Sequence, residues 1–251
     1  MSADDRYTYP GSGGVLRNKR GFTDSRRLDK AMNDLASVAW IILSKEPEPA
    51  KFDFAYLQCV HAQMFSRLFD WAGHVRDVDT VAGSTGIVYA RPAFIEQNLR
   101  DMFRALAEDE SLMSTGDPDE FVTKLSGHWG YLSLIHPFRD GNTRSQSLFI
   151  SNLSRAAGHP LDWRLVDVES LRTARLRAMR GDERPLAAIL RHALAVAGEA
   201  HADTTPQFHV DISNSSGAAA TAGVGRCGKP RANGQSTCRR RVGNDGCPYH
   251  P

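Results

Sequence analysis

A chain of 251 residues with 41% hydrophobic and 24% charged side chains carries enough apolar material for one globular domain and a smaller appendage. A formal net charge of +2 gives no strong bias towards any class of partner, and the longest apolar run, Leu35 to Leu43, is far short of a membrane span. Met1-Ser2-Ala3-Asp4-Asp5 opens without a signal-peptide hydrophobic region and all cysteines but Cys59 lie near the C-terminus. We therefore expect a cytoplasmic protein with no membrane partner and no disulfide framework; an effector delivered into a host cytosol would read the same way.

Residues 1–22 are rich in Gly, Tyr and Arg and read as an irregular arm packed on the body. A first helix begins near Thr23-Asp24-Ser25, carries Leu28, Met32, Leu35, Ala39, Ile42 and Leu43 on one stripe, and ends before Pro47 and Pro49. A second, from Asp53 to about Phe69, sets Phe54, Leu57, His61, Met64 and Leu68 at helical spacing. His61 on that stripe reads as a hydrogen-bonded core histidine rather than a ligand. Between Val75 and Pro92 the helical period lapses around Ala82-Gly83-Ser84-Thr85-Gly86, as in a short β-hairpin. A third helix starts at Pro92 and ends before Ser114-Thr115-Gly116-Asp117-Pro118.

The next helix, with Phe121, Leu125, Trp129, Leu132 and Leu134 on its apolar face, runs into Ile135-His136-Pro137-Phe138-Arg139-Asp140-Gly141-Asn142-Thr143-Arg144. Pro137 cannot continue a helix, and Gly141-Asn142 can make the turn into a new one that stops at Gly158. Free N–H groups at that new N-terminus form an anion site, with His136 as a base, Asp140 as a cation ligand and Arg144 as a counter-charge. Two further helices follow, Asp167 to Arg180 and Arg184 to Val196, and Arg172, Arg175, Arg177 and Arg180 read as a solvated basic face. Residues 201–225 have linker composition.

His136 to Arg144 resembles the signature of the Fic domain, H-P-F-x-[D/E]-G-N-G-R-x-x-R, and Phe69-Asp70-Trp71-Ala72-Gly73, Arg91-Pro92-Ala93-Phe94-Ile95 and Leu161-Asp162-Trp163 look like its flanking landmarks. The resemblance implies an all-α Fic-type helical domain over residues 23–200 with a small β-hairpin flap. It implies transfer of AMP from ATP to a Ser, Thr or Tyr hydroxyl of a target protein. His136 would be the base, Asp140 the magnesium ligand, and Arg144 the charge that neutralises the phosphates. Gly141, Asn142, Thr143 and Arg144 would form the nucleotide cradle, with Phe138 as the anchor that fixes its loop. Gly86, Ile87, Val88, Tyr89 and Ala90 would hold the target segment by strand addition.

Two positions depart from the signature. Thr143 replaces a glycine, and Ser147 replaces the second arginine, which in AMP-transferring members binds the terminal phosphate. The related Doc toxins also lack both features and transfer phosphate, so a Doc-like phosphotransferase is one alternative and a Fic pseudoenzyme acting through binding is another. The family's inhibitory signature is absent, since Ser44 to Glu48 is followed by Pro49, and restraint would come from a small antitoxin supplying the inhibitory helix in trans. Residues 226–251 hold Cys227, Cys238, Cys247 and His250, a complete tetrahedral zinc set that resembles small CCCH-type modules. With Arg226, Lys229, Arg231, Arg239, Arg240 and Arg241, such a zinc-stapled module could touch nucleic acid.

Overall fold

Aspartates cap the starts of four of the α-helices. Asp24 accepts from the Arg27 N–H to open α1 (Ser25–Leu43), and Asp53 accepts from Tyr56 to open α2 (Phe54–Phe65). Pro92 begins α3 (Pro92–Glu108), followed by the single turn α4 (Ser111–Ser114). Asp117 accepts from both Asp119 and Glu120 at the head of α5 (Pro118–Ile135), and α6 (Asn142–Ala156) follows the motif loop. A 3-10 turn at Trp163–Leu165 leads to α7 (Val168–Ala178), capped by Asp167, and α8 (Arg184–Ala193). The second helix is therefore one turn shorter than its apolar spacing predicts, because Leu68 and Phe69 bury themselves from a tight turn and not from the helix.

The computed structural model describes residues 6–82, 85–109 and 111–194, and a backbone pairing of 225–226 with 241–242. The chain divides into two units, Met1–His209 and Val210–Pro251. The first is helical, as the resemblance implies. In the second, β1 (Gly225–Arg226) pairs antiparallel with β2 (Arg241–Val242), Gly225 opposite Val242. Among the described residues no helix is long and apolar enough to cross a membrane.

Helix α5 is the hub of the helical unit, packed by α3, α7 and α8, while α6 lies against α2 and α1. Its buried face carries Phe121, Leu125, Trp129 and Leu132, each fully removed from water. Trp163 meets Trp129 and Trp40 edge-on, at centroid separations of 6.2 and 5.6 Å, and so ties α1 and α5 together. The N-terminal arm packs as expected: Thr8 bridges Leu16, Val15 and Leu16 are buried, and Tyr7 donates to Asp77 at 2.7 Å. Arg155 of α6 donates to the Ser44 carbonyl and closes the end of α1.

Helices α5 and α7 approach closely because Gly130 has no side chain. A Cβ there would stand 2.9 Å from the Ala178 Cβ and 3.3 Å from its carbonyl oxygen. Gly130→Ala should therefore push α7 outward and lower stability by about 1–3 kcal/mol, read as a fall in the urea midpoint with unchanged slope.

Candidate active site

Ile135 ends α5, and His136 follows in the left-handed region at φ 49°, ψ 62°, which turns the chain sharply out of the helix. Phe138 then points into the core, with no exposed surface, and stacks on His61 at 3.9 Å. The Asn142 side chain closes the loop from inside. Its Oδ1 accepts from the Phe138 N–H at 2.9 Å and its Nδ2 donates to the Phe138 carbonyl at 2.8 Å. Asn142 thus shapes the cradle with both of its polar atoms. Gly141 at φ +78° precedes α6, and a Cβ on it would overlap the Phe65 ring, so both backbone conformation and space require glycine. The N–H groups of the first turn of α6, which no helix can pair internally, receive no side-chain cap from Gly141.

His61 of α2 steadies the loop from below. Its Nδ1 accepts from the Gly73 N–H at 2.9 Å and so carries no proton, which leaves Nε2–H to donate to the Asp140 carbonyl at 2.8 Å. Burial pushes its pKa down to about 3. The core-histidine reading holds, with a task that the helical spacing does not reveal. Arg76 steadies the loop from above. Its guanidinium donates to the carbonyls of His136 (2.8 Å), Val78 (2.7 Å), Ala90 (2.5 Å) and Ile135 (3.3 Å), and its N–H donates to Pro137 (2.9 Å). Nothing in the local composition marks Arg76; a buried arginine in an irregular stretch has no periodicity to betray it.

The hairpin expected between Val75 and Pro92 is present. Val81 bridges Val88, the Ala82 N–H donates to Ile87 at 2.9 Å, and the Ala90 N–H donates to Leu134 at 3.0 Å. Val81 and Val88 are 53% and 56% exposed, an apolar edge facing outwards. Tyr89 turns inwards and stacks on the His136 ring, 3.6 Å between centroids and 10° between planes. Of Gly86, Ile87, Val88, Tyr89 and Ala90, Tyr89 lies directly over His136, and Ala90 is tied to the end of α5 through Leu134.

Arg144 Nη1 is buried with no hydrogen-bond partner among the described residues, and the His136 ring lies by the Ser133 backbone. Burial first, then the charges of Arg175 and Arg76, hold the His136 imidazole well below the usual histidine range. Asp140 accepts from the Gly141 N–H, and the same oxygen lies 3.9 Å from Arg144. Asp29 of α1 stands near both; burial, and then the Asp140 charge, raise its carboxyl.

Arg175 of α7 is where the structure corrects the sequence reading. Arg172, Arg177 and Arg180 are exposed, but Arg175 is 6% exposed and turned into the protein. Its Nε donates to Ser133 Oγ (3.1 Å), Nη1 to Thr143 Oγ1 (2.7 Å) and Nη2 to Gln146 Oε1 (2.9 Å), over the face of Trp129. Cys227, Cys238, Cys247 and His250 lie outside the described residues.

Residues 51–154 match the profile of the Fic/DOC family. A probable protein adenylyltransferase of Sinorhizobium fredii is 31% identical over 76% of this chain and 96% of its own length. Another, from Salmonella typhimurium, is 30% identical over 78% of this chain and 94% of its own. The fold of the Bartonella tribocorum effector BepC, solved with bound AMPPNP, superposes with a TM-score of 0.69 at 27% identity, covering 78% of this chain and 99% of that one.

Two neutral histidines, His61 buried and His136 partly buried, make folding sensitive to acid. Both have folded-state pKa values below the unfolded 6.5, so their stabilisation is complete above that value and is lost as pH falls towards the folded pKa, about 3 for His61. Denaturant titrations between pH 7.5 and 4.5 should show stability falling below pH 6.5 by up to ~1.4 kcal/mol per pH unit for each histidine. His136→Ala should retain the share due to His61.

Proposed function

Since the chain belongs to the Fic/DOC family, we propose that it transfers AMP from ATP to a hydroxyl group of a target protein. The observation that carries this reading is the pairing of a neutral His136 with an unsatisfied Arg144 Nη1 beside the open first turn of α6. Such a site suits an anion. The two relatives described above carry adenylyltransferase names, which favours AMP over phosphate as the transferred group.

In this reading a target segment adds to the exposed Val88 edge and aims its hydroxyl at His136. His136 takes the hydroxyl proton while the oxygen attacks the α-phosphorus; the bond to the β-phosphate oxygen breaks, and pyrophosphate leaves with the electron pair. Arg144 and the α6 amides hold the charge that develops on the phosphoryl oxygens. A polyphosphate beside Arg175 and Arg76 would also offset the charges that depress His136, so the base strengthens as the nucleotide seats. Tyr89 must slide off the imidazole for the hydroxyl to reach it.

The Asp140 carboxylate fits a magnesium ion: its Oδ1 is oriented by the Gly141 N–H, and its Oδ2 receives no hydrogen bond from the described residues. Magnesium, when bound, neutralises part of the charge of the phosphates. Incubation with ATP, magnesium and a bacterial lysate, followed by mass spectrometry, should reveal AMP-sized additions that His136→Ala abolishes. A phosphate-sized addition would assign Doc-like transfer, and the absence of both from folded protein would reject catalysis.

For the second unit we propose a structural zinc site at Cys227, Cys238, Cys247 and His250. Support comes from the donor set and from the pairing of 225–226 with 241–242, which brackets Cys227 and Cys238 in sequence. Elemental analysis of the purified chain should give about one zinc per molecule, falling to none on Cys238→Ser; a metal content unchanged by that substitution would rule the site out.

A further inference from the structure

Arg175 is a cation in the interior that no carboxylate among the described residues answers. Among the described residues its acceptors are all neutral, Ser133 Oγ, Thr143 Oγ1 and Gln146 Oε1, and these bonds use three of its five N–H donors. Burial is costly enough to pull its pKa down to about 10. A charge held at that cost, oriented by three hydrogen bonds and seated on Trp129, is poised for an anion that arrives later.

Its position says which anion. Thr143 and Gln146 lie three residues apart on α6, and position 147 shares their face. A helical side chain covers the turn N-terminal to its own Cα, so a long side chain at 147 would run back over Thr143. The Arg175 guanidinium occupies that place. Ser147, small and buried, leaves room for it, and Thr143, exposed at the first turn of α6, receives its Nη1 at the edge of the anion cradle.

We infer that Arg175, reaching across from α7, supplies the second phosphate-binding cation that position 147 lacks, and that it holds the terminal phosphates of ATP. The inference rests on the nucleotide reading of this site. Gln146 and Ser133 are then positioning residues for the guanidinium: Gln146 Nε2 donates to the Leu132 carbonyl at 3.2 Å and so presents its oxygen to Arg175.

The test is calorimetric binding of ATP, with magnesium, and of AMP to the full chain and to Arg175→Gln and Arg175→Lys, with thermal melts to establish folding. Arg175→Gln should weaken ATP by roughly thirtyfold or more, the scale for losing a buried partner of a charge, while leaving AMP within about threefold. Arg175→Lys restores a charge that buried amines give up near neutrality. Its ATP affinity should therefore fall as pH rises from 7 to 9, while that of the wild type stays level. Equal ATP affinity in wild type and Arg175→Gln would overturn the inference and leave the nucleotide reading standing. If Arg175→Gln does not fold, a pH-independent Arg175→Lys would overturn it instead. A wild-type chain that binds no ATP would overturn the nucleotide reading itself, and this inference with it.

Discussion

The Arg76 guanidinium holds the site together. Carbonyls of Ile135 and His136 end α5 with unpaired lone pairs at the negative end of its dipole, and Val78 and Ala90 flank the hairpin. One planar, permanently charged group satisfies all of them. It joins His136, the helix that carries it and both strands of the hairpin into one body. A lysine could not do this, since its single ammonium cannot span acceptors spread over so wide a fork. Removing the guanidinium would strand several carbonyls in a site closed to water, and each such group costs about 1–3 kcal/mol.

The site is also electrostatically one-sided. Arg76 and Arg175 act on His136, and Arg144 lies beside Asp140, whose Oδ1 accepts from the Gly141 amide. Burial first, and then the charges of Arg175 and Arg76, keep His136 unprotonated, the form a base needs. The same excess of positive charge that lowers its basicity is what a polyphosphate would cancel. The resting and loaded states therefore differ in the strength of the base without any residue having to move, apart from Tyr89 over the ring.

Much of this was legible because it is local. The loop from His136 to Arg144 declares itself through Pro137, Gly141 and Asn142, whose backbone restrictions act within a few residues, and the caps Asp24, Asp53 and Asp117 mark helix starts in the same way. What sequence left dark is reached through space. His61 meets Asp140 from 79 residues away and Arg76 meets His136 from 60. Arg175 could have been found: it shares an apolar stripe with Leu171, Ala174 and Ala178, whereas Arg172, Arg177 and Arg180 do not. Counting the arginines of α7 as one basic face hid the one that falls on its buried side.

The two departures from the motif become a single event once Arg175 is in view. An arginine at 147 and the guanidinium of Arg175 would compete for the same neutral acceptors and repel each other at short range, so a small residue at 147 is the condition for Arg175 to enter. A glycine at 143 would leave Nη1 without its acceptor; the threonine hydroxyl provides it. The exchange also changes the kind of cation. A side chain on the surface of α6 must lose rotamer freedom when it grips a phosphate, while Arg175 has lost it already to Ser133, Thr143, Gln146 and Trp129. Binding then costs less entropy, and the expense shifts to the empty protein, which must keep a desolvated charge inside its core.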